Sequence, residues 1–166
     1  MAKTFNELTV YQLGVELDKL VWALRRGIQP SSPGLWDQVD RSSGSITDNI
    51  AEGFGRETRA DFRNYLRYSR GSAHEVESQI ERAANRELIS DSDAQRIIAL
   101  AKDLSVRLKN FQEYLKRAPK SSSPYEAREP ITPYLAAHEV EAAKDTPDWW
   151  ASTEESEYPD EYFDVR

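Results

Sequence analysis

Apolar residues recur at helical spacing in four stretches of the chain. Leu8, Tyr11, Val15 and Trp22 fall on or beside an apolar face with Leu13, Leu17, Leu20, Val21 and Leu24. Val39, Ile46 and Ile50 follow on one face of a second stretch. Phe62, Tyr65, Leu66, Ser69, Ala73, Val76 and Ile80 share a face of a third. Ile97, Ile98, Leu100, Ala101, Leu104, Leu108, Phe111 and Leu115 make a fourth. A 3.6-residue period of this kind is the signal of helices packed on a core. Leu66, Val76, Ile50 and Leu104 are expected to be buried.

Local signals set the ends of these helices. Thr4-Phe5-Asn6-Glu7 has the form of a capping box, which predicts the start of the first helix. That helix should end near Arg26, with Gly27 as its stop. Gly14 inside it costs about 1 kcal/mol of helix propensity relative to Ala, so a close helix–helix contact is expected there. Ser32-Pro33 predicts a second helix from Pro33 to about Glu52, closed by Gly53 and Gly55 around Phe54. Thr58, with Asp61 three residues on, starts a third that runs to about Arg86. Ser90-Asp91-Ser92-Asp93 caps a fourth that runs until Pro119. Short connections make neighbouring helices antiparallel. The expected fold is all-α, an up-down-up-down four-helix bundle over residues 1–118.

Past Pro119 the composition changes. Ser121-Ser122-Ser123-Pro124 is a linker signal. Residues 119–166 carry four basic and twelve acidic residues, a net of −8. The remaining 18 basic and 17 acidic residues leave residues 1–118 at +1, so the total of −7 describes neither part. The last twenty residues mix seven carboxylates with Trp149, Trp150, Tyr158, Tyr162 and Phe163. The C-terminal extension is either a disordered tail or a docking segment. In the second case its aromatics fill grooves and its acids meet a basic surface, on its own body or on a protein partner.

The polar side of the third helix carries a second charge pattern. Projected at about 100° per residue, Arg59, Arg63, Arg67 and Arg70 fall within about a quarter-turn, and Arg56 joins them if helical. Such a stripe is either a solvated face whose arginines pair with carboxylates, or an electropositive track for phosphate or an acidic partner.

Little in the chain points to catalysis. There is no cysteine, so neither a disulfide framework nor a thiolate metal site can form. His74 and His138 lack metal-ligand spacing, and His74 reads as a surface residue. Glu52, near Asn49 and Arg56, reads as part of a structural hydrogen-bond cluster. No phosphate-binding loop, dinucleotide fingerprint or nucleophile elbow appears. The expectation is a non-enzyme with no catalytic residues, no metal and no cofactor. No run of about 18 apolar residues exists, and the N-terminus has no apolar signal region, so a cytoplasmic protein without a membrane partner is expected.

The segment from Arg41 to Arg56 reads Arg-Ser-Ser-Gly-Ser-Ile-Thr-Asp-Asn-Ile-Ala-Glu-Gly-Phe-Gly-Arg. It resembles the signature of the four-helix bundle proteins encoded in 23S rRNA intervening sequences. Arg41, Ser45, Asn49, Glu52 and Gly53 carry that match. Gly71 and Ser72, followed by Glu75 and Glu77, resemble the family's second block. The resemblance covers about residues 5–117. It implies a homopentamer of bundles arranged as a barrel. The family is similar in fold to the accessory variability determinant proteins of diversity-generating retroelements, which bind a reverse transcriptase and nucleic acid through basic residues.

Two functions of different class follow. One is a homo-oligomeric accessory protein whose Arg56, Arg59, Arg63, Arg67 and Arg70 meet RNA, DNA or a reverse transcriptase–RNA complex. Repetition of a weak patch in an oligomer would make it avid. The other is an interaction scaffold that presents acidic aromatic tails to a protein partner.

Overall fold

The computed structural model describes residues 4–27 and 32–117. They form four α-helices: α1 (Thr9–Gly27), α2 (Pro33–Phe54), α3 (Arg59–Asn85) and α4 (Asp91–Arg117). Cross-helix pairs fix their directions. Asp18 meets Ser43 and Arg25 meets Asp37, so α2 runs back along α1. Ser45 meets Ser72 and Glu52 meets Tyr65, so α3 reverses again. His74 meets Ser105 and Glu77 meets Lys102, which reverses α4. With α4 also packed on α1, the result is the up-down-up-down bundle.

The apolar faces of all four helices close on one core. Leu66, Val76, Ile50 and Leu104 are fully buried, as the periodicity predicts. At the bundle end beside the α2–α3 corner, aromatic rings pack edge to face. Phe5 meets Tyr11 at 4.9 Å, Phe54 meets Phe62 at 6.0 Å, and Phe62 meets Phe111 at 5.4 Å between centroids. Such pairs add to the area burial of each ring.

The first helix departs from its sequence reading. Val10, Gly14, Leu17 and Val21 face the core, while Trp22 stands 54% exposed. So many positions of α1 are apolar that periodicity alone admits more than one inward face. Gly14 selects this one: a Cβ there would lie 2.9 Å from Thr47 Cγ2 on α2. The expected close contact is therefore present, and it sets the rotation of the helix. The capping box also forms differently. Thr4 Oγ1 bonds the Glu7 carboxylate at 3.3 Å and caps no backbone N–H with its side chain. Phe5–Glu7 is a short 3-10 turn, and α1 begins only after the buried, extended Leu8.

The other helix starts are mixed. Thr58 accepts the Asp61 N–H at 3.1 Å, and Ser90 accepts that of Asp93 at 3.1 Å, both as expected. Ser32 sits in the left-handed region at φ 79° and makes no side-chain cap. Pro33 still opens α2, where its missing N–H costs nothing. Glu52 is not the last residue of α2, which continues to Phe54.

Candidate nucleic-acid interface

The corner between α2 and α3 is built around close backbone approach. Gly53 is buried, and a Cβ there would lie 2.5 Å from Tyr65 Cβ and 2.8 Å from Phe62 Cδ2. Its glycine is required by space, since no glycine of the described residues has positive φ. The approach brings Tyr65 over the end of α2. The Tyr65 hydroxyl donates to Glu52 Oε1 at 2.7 Å, and Arg56 donates to both groups. The hydrogen bond from Tyr65 and the Arg56 guanidinium hold the Glu52 carboxyl below its ordinary range. Glu52 in turn raises the Tyr65 phenol and the Arg56 guanidinium. A structural cluster at Glu52 was expected, but its third member is Tyr65. Asn49 turns instead to Ser45, reaching its carbonyl at 2.6 Å and its hydroxyl at 3.0 Å.

The cluster continues along α3. The Arg56 guanidinium lies 4.9 Å from the Tyr65 ring centroid. The rings of Tyr65 and Tyr68 meet edge to face at 5.9 Å, and Arg67 lies 5.5 Å from the Tyr68 centroid. Tyr68 is 52% exposed. Sequence reasoning passed over it. The signal for it was an aromatic residue on a polar phase of the helix, next to an arginine.

The five-arginine stripe is divided by the structure. Arg56 lies outside both helices, so the helical projection does not apply to it. Arg59, Arg63 and Arg70 are half-buried on the side of α3 shared with His74 and Glu77, which is the side turned toward α4. The Nε of Arg63 is shielded from solvent. Arg67 points outward and is exposed. Arginines elsewhere pair with carboxylates, as Arg107 does with Asp103 at 2.8 Å and Arg25 with Asp37 at 2.9 Å. Among the described residues, Arg63, Arg67 and Arg70 make no ion pair.

The two sequence blocks meet across the α2–α3 seam. Ser72 Oγ lies 3.2 Å from Ser45 Oγ, Ser69 Oγ donates to the Ile46 carbonyl at 2.9 Å, and Ser42 Oγ lies 3.1 Å from Glu75 Oε2. The conspicuous small residues are thus the points at which two backbones approach. Gly44 and Gly71 are different: a Cβ at either would meet nothing within 4 Å. Arg41 is exposed and its Nε donates to the Asp37 carbonyl at 3.2 Å.

One hydrogen-bonded chain joins α3 to α4. His74 Nε2 lies 3.0 Å from Ser105 Oγ, His74 Nδ1 lies 3.4 Å from Glu77, and Lys102 lies 3.5 Å from Glu77. The order is that of nucleophile, base and orienting carboxylate. Ser105 is buried in mid-helix, where the surrounding backbone N–H groups serve helix carbonyls. The chain acts as a cross-link. Among the described residues no group of three His, Cys, Asp or Glu side chains could hold a metal, and no helix is long and apolar enough to cross a membrane. The tail residues Trp149, Trp150, Tyr158, Tyr162 and Phe163, and His138, lie outside the described residues.

The family model described as 23S rRNA-intervening sequence protein matches residues 6–110, which takes in nearly all of the four helices. No curated protein matches the chain.

Proposed function

The chain belongs to the 23S rRNA-intervening sequence protein family, and on that premise we propose that it is a non-enzymatic accessory protein that binds nucleic acid through the arginine-bearing surface of α3 that runs from its exposed side to its α4 flank. One observation carries the reading. Arg63, Arg67 and Arg70 lie within two helical turns, and none is neutralised by a carboxylate of the described residues. Guanidinium groups left in this condition attract phosphate, and each phosphate bound releases counterions from a polyanion. Arg59 begins the same face, while Arg56 is partly neutralised by Glu52 and contributes less.

The test is the salt dependence of binding. Changing Arg63, Arg67 and Arg70 to Gln should weaken binding of RNA or DNA. It should also reduce the slope of log affinity against log salt by about 0.7 to 0.9 for each phosphate no longer neutralised. Unchanged affinity and slope would remove the arginine face from the interface.

The reading extends to assembly and partners. A homopentamer would present five copies of the face and turn modest affinity into avidity. A reverse transcriptase–RNA complex of a diversity-generating retroelement is the partner that the likeness to its accessory proteins suggests. The second reading, a scaffold that offers acidic aromatic tails to a protein partner, is favoured by the charge of residues 119–166. Comparing the full chain with residues 1–118 for nucleic-acid binding separates the two.

A further inference from the structure

The arginine face alone does not account for Tyr68, which stands half in solvent among charged neighbours. Trp22 is the other large apolar side chain exposed among the described residues, and it lies on α1. Tyr68 instead belongs to a pair of rings bracketed by guanidinium groups: Arg56 beside Tyr65 at 4.9 Å, Tyr65 against Tyr68 at 5.9 Å, and Arg67 beside Tyr68 at 5.5 Å. The pair is anchored at its inner end, where the Tyr65 hydroxyl is held by Glu52 at 2.7 Å. Tyr65 is thereby fixed, and its ring supports that of Tyr68. An exposed ring held in place gives up little entropy when a flat ligand settles on it.

A duplex keeps its bases stacked inside and offers such a surface only phosphate and sugar. A single strand offers phosphates to the arginines and unstacked bases to the ring. Arg67 sets its guanidinium 5.5 Å from the Tyr68 ring, and Arg63 and Arg70 lie one turn either side of Arg67 on the α4 flank, so a strand crossing Tyr68 meets Arg67 first. We propose that Tyr68, with Arg67, is a base-stacking platform, and that the nucleic acid taken by this face is single-stranded. This deepens the arginine reading and rests on it. Stacking on an aromatic side chain is tolerant of sequence, so the platform selects strand state rather than base identity.

The experiment uses the full chain, with Tyr68→Ala and Tyr68→Phe variants that leave the core untouched. Each is titrated with a pyrimidine RNA strand of about twelve nucleotides, long enough for one such site, and with an abasic strand of equal length and charge. Tyr68→Ala should weaken binding of the base-bearing strand at least about five-fold, the low end for removing one stacked base. Tyr68→Phe should bind it like the unaltered chain, and all three should bind the abasic strand alike. The salt slope should not change, because the arginines still hold the same phosphates. Equal weakening on both strands, or none on either, overturns the platform and leaves the arginine reading standing. Failure of the unaltered chain to bind either strand overturns the arginine reading and the platform together.

Discussion

Gly53 and Gly71 are both helical glycines within the family blocks, yet a methyl group would have opposite effects at the two. At Gly53 it would press on Tyr65 Cβ and Phe62, which belong to a packed helix and cannot swing away. Gly53→Ala should cost about 1–3 kcal/mol, as overpacking does. At Gly71, exposed and with nothing within 4 Å, Gly71→Ala should gain about 0.5–1 kcal/mol from helix propensity. Urea midpoints should move in opposite directions. The Glu52–Tyr65 pair makes a further prediction at this scale. The Glu52 carboxyl is lowered in the folded chain, so its contribution is present above the unfolded carboxylate range and is lost as pH falls through the lowered value. The Tyr65 phenol is raised, so its contribution is present below the ordinary phenol range and is lost as pH rises through the raised value. The melting-temperature difference between the unaltered chain and Tyr65→Phe should be largest near neutrality and shrink toward both extremes. A difference independent of pH would assign it to packing.

At the scale of the element, α3 shows three environments around one helix. Its core face carries Phe62, Leu66, Ala73, Val76 and Ile80, all buried. Leu66→Ala should cost about 2–5 kcal/mol, the usual range for such a truncation, and a melting temperature that moved by less than a degree or two would exclude the core assignment. One flank meets α2 through Tyr65, Ser69 and Ser72, and the other meets α4 through His74 and Glu77. Periodicity predicts the core face because burial repeats every 3.6 residues. It cannot assign the flanks, because that depends on which side each neighbouring helix occupies. For that reason the arginines read as one stripe but divide in the folded chain. Arg56 turns to Tyr65 once α2 stops at Phe54, whereas Arg63 and Arg70 follow the α4 flank.

For the whole molecule, the expected state is a homo-oligomer, a pentamer if the barrel arrangement of the resemblance holds. Light scattering at micromolar concentration should return the mass of five chains, and a single-chain mass at all concentrations would exclude assembly. The extension makes a prediction through its charge. If the arginine face is accessible to it, a segment of −8 joined to a body of +1 would compete there with nucleic acid, at roughly millimolar effective concentration were the tether flexible. Deleting residues 119–166 should raise affinity for nucleic acid. Changing Trp149, Trp150, Tyr158, Tyr162 and Phe163 to Ser at constant charge should raise it similarly if the aromatics dock on the body. If that variant binds like the intact chain, the tail acts through charge alone or serves another protein.

Helix number and order, and the core faces of α2, α3 and α4, were legible in the sequence, because each rests on local stop and start signals and a burial period that every residue reports independently. The seam between α2 and α3 was legible in part. Ser45 and Ser72 meet across it, and Gly53, read from the sequence as a helix stop, is a point of close approach as well, while Gly44 and Gly71 are left open. What required the tertiary structure were the relations among residues far apart in the chain. Gly14 sets the rotation of α1 by where it meets Thr47, and so turns Trp22 outward. Glu52 finds Tyr65 thirteen positions away, and Tyr68 becomes an exposed ring beside Arg67. A local pattern states which side of a helix is buried. Only the packed bundle determines which neighbour lies on each flank and which side chains are left facing water.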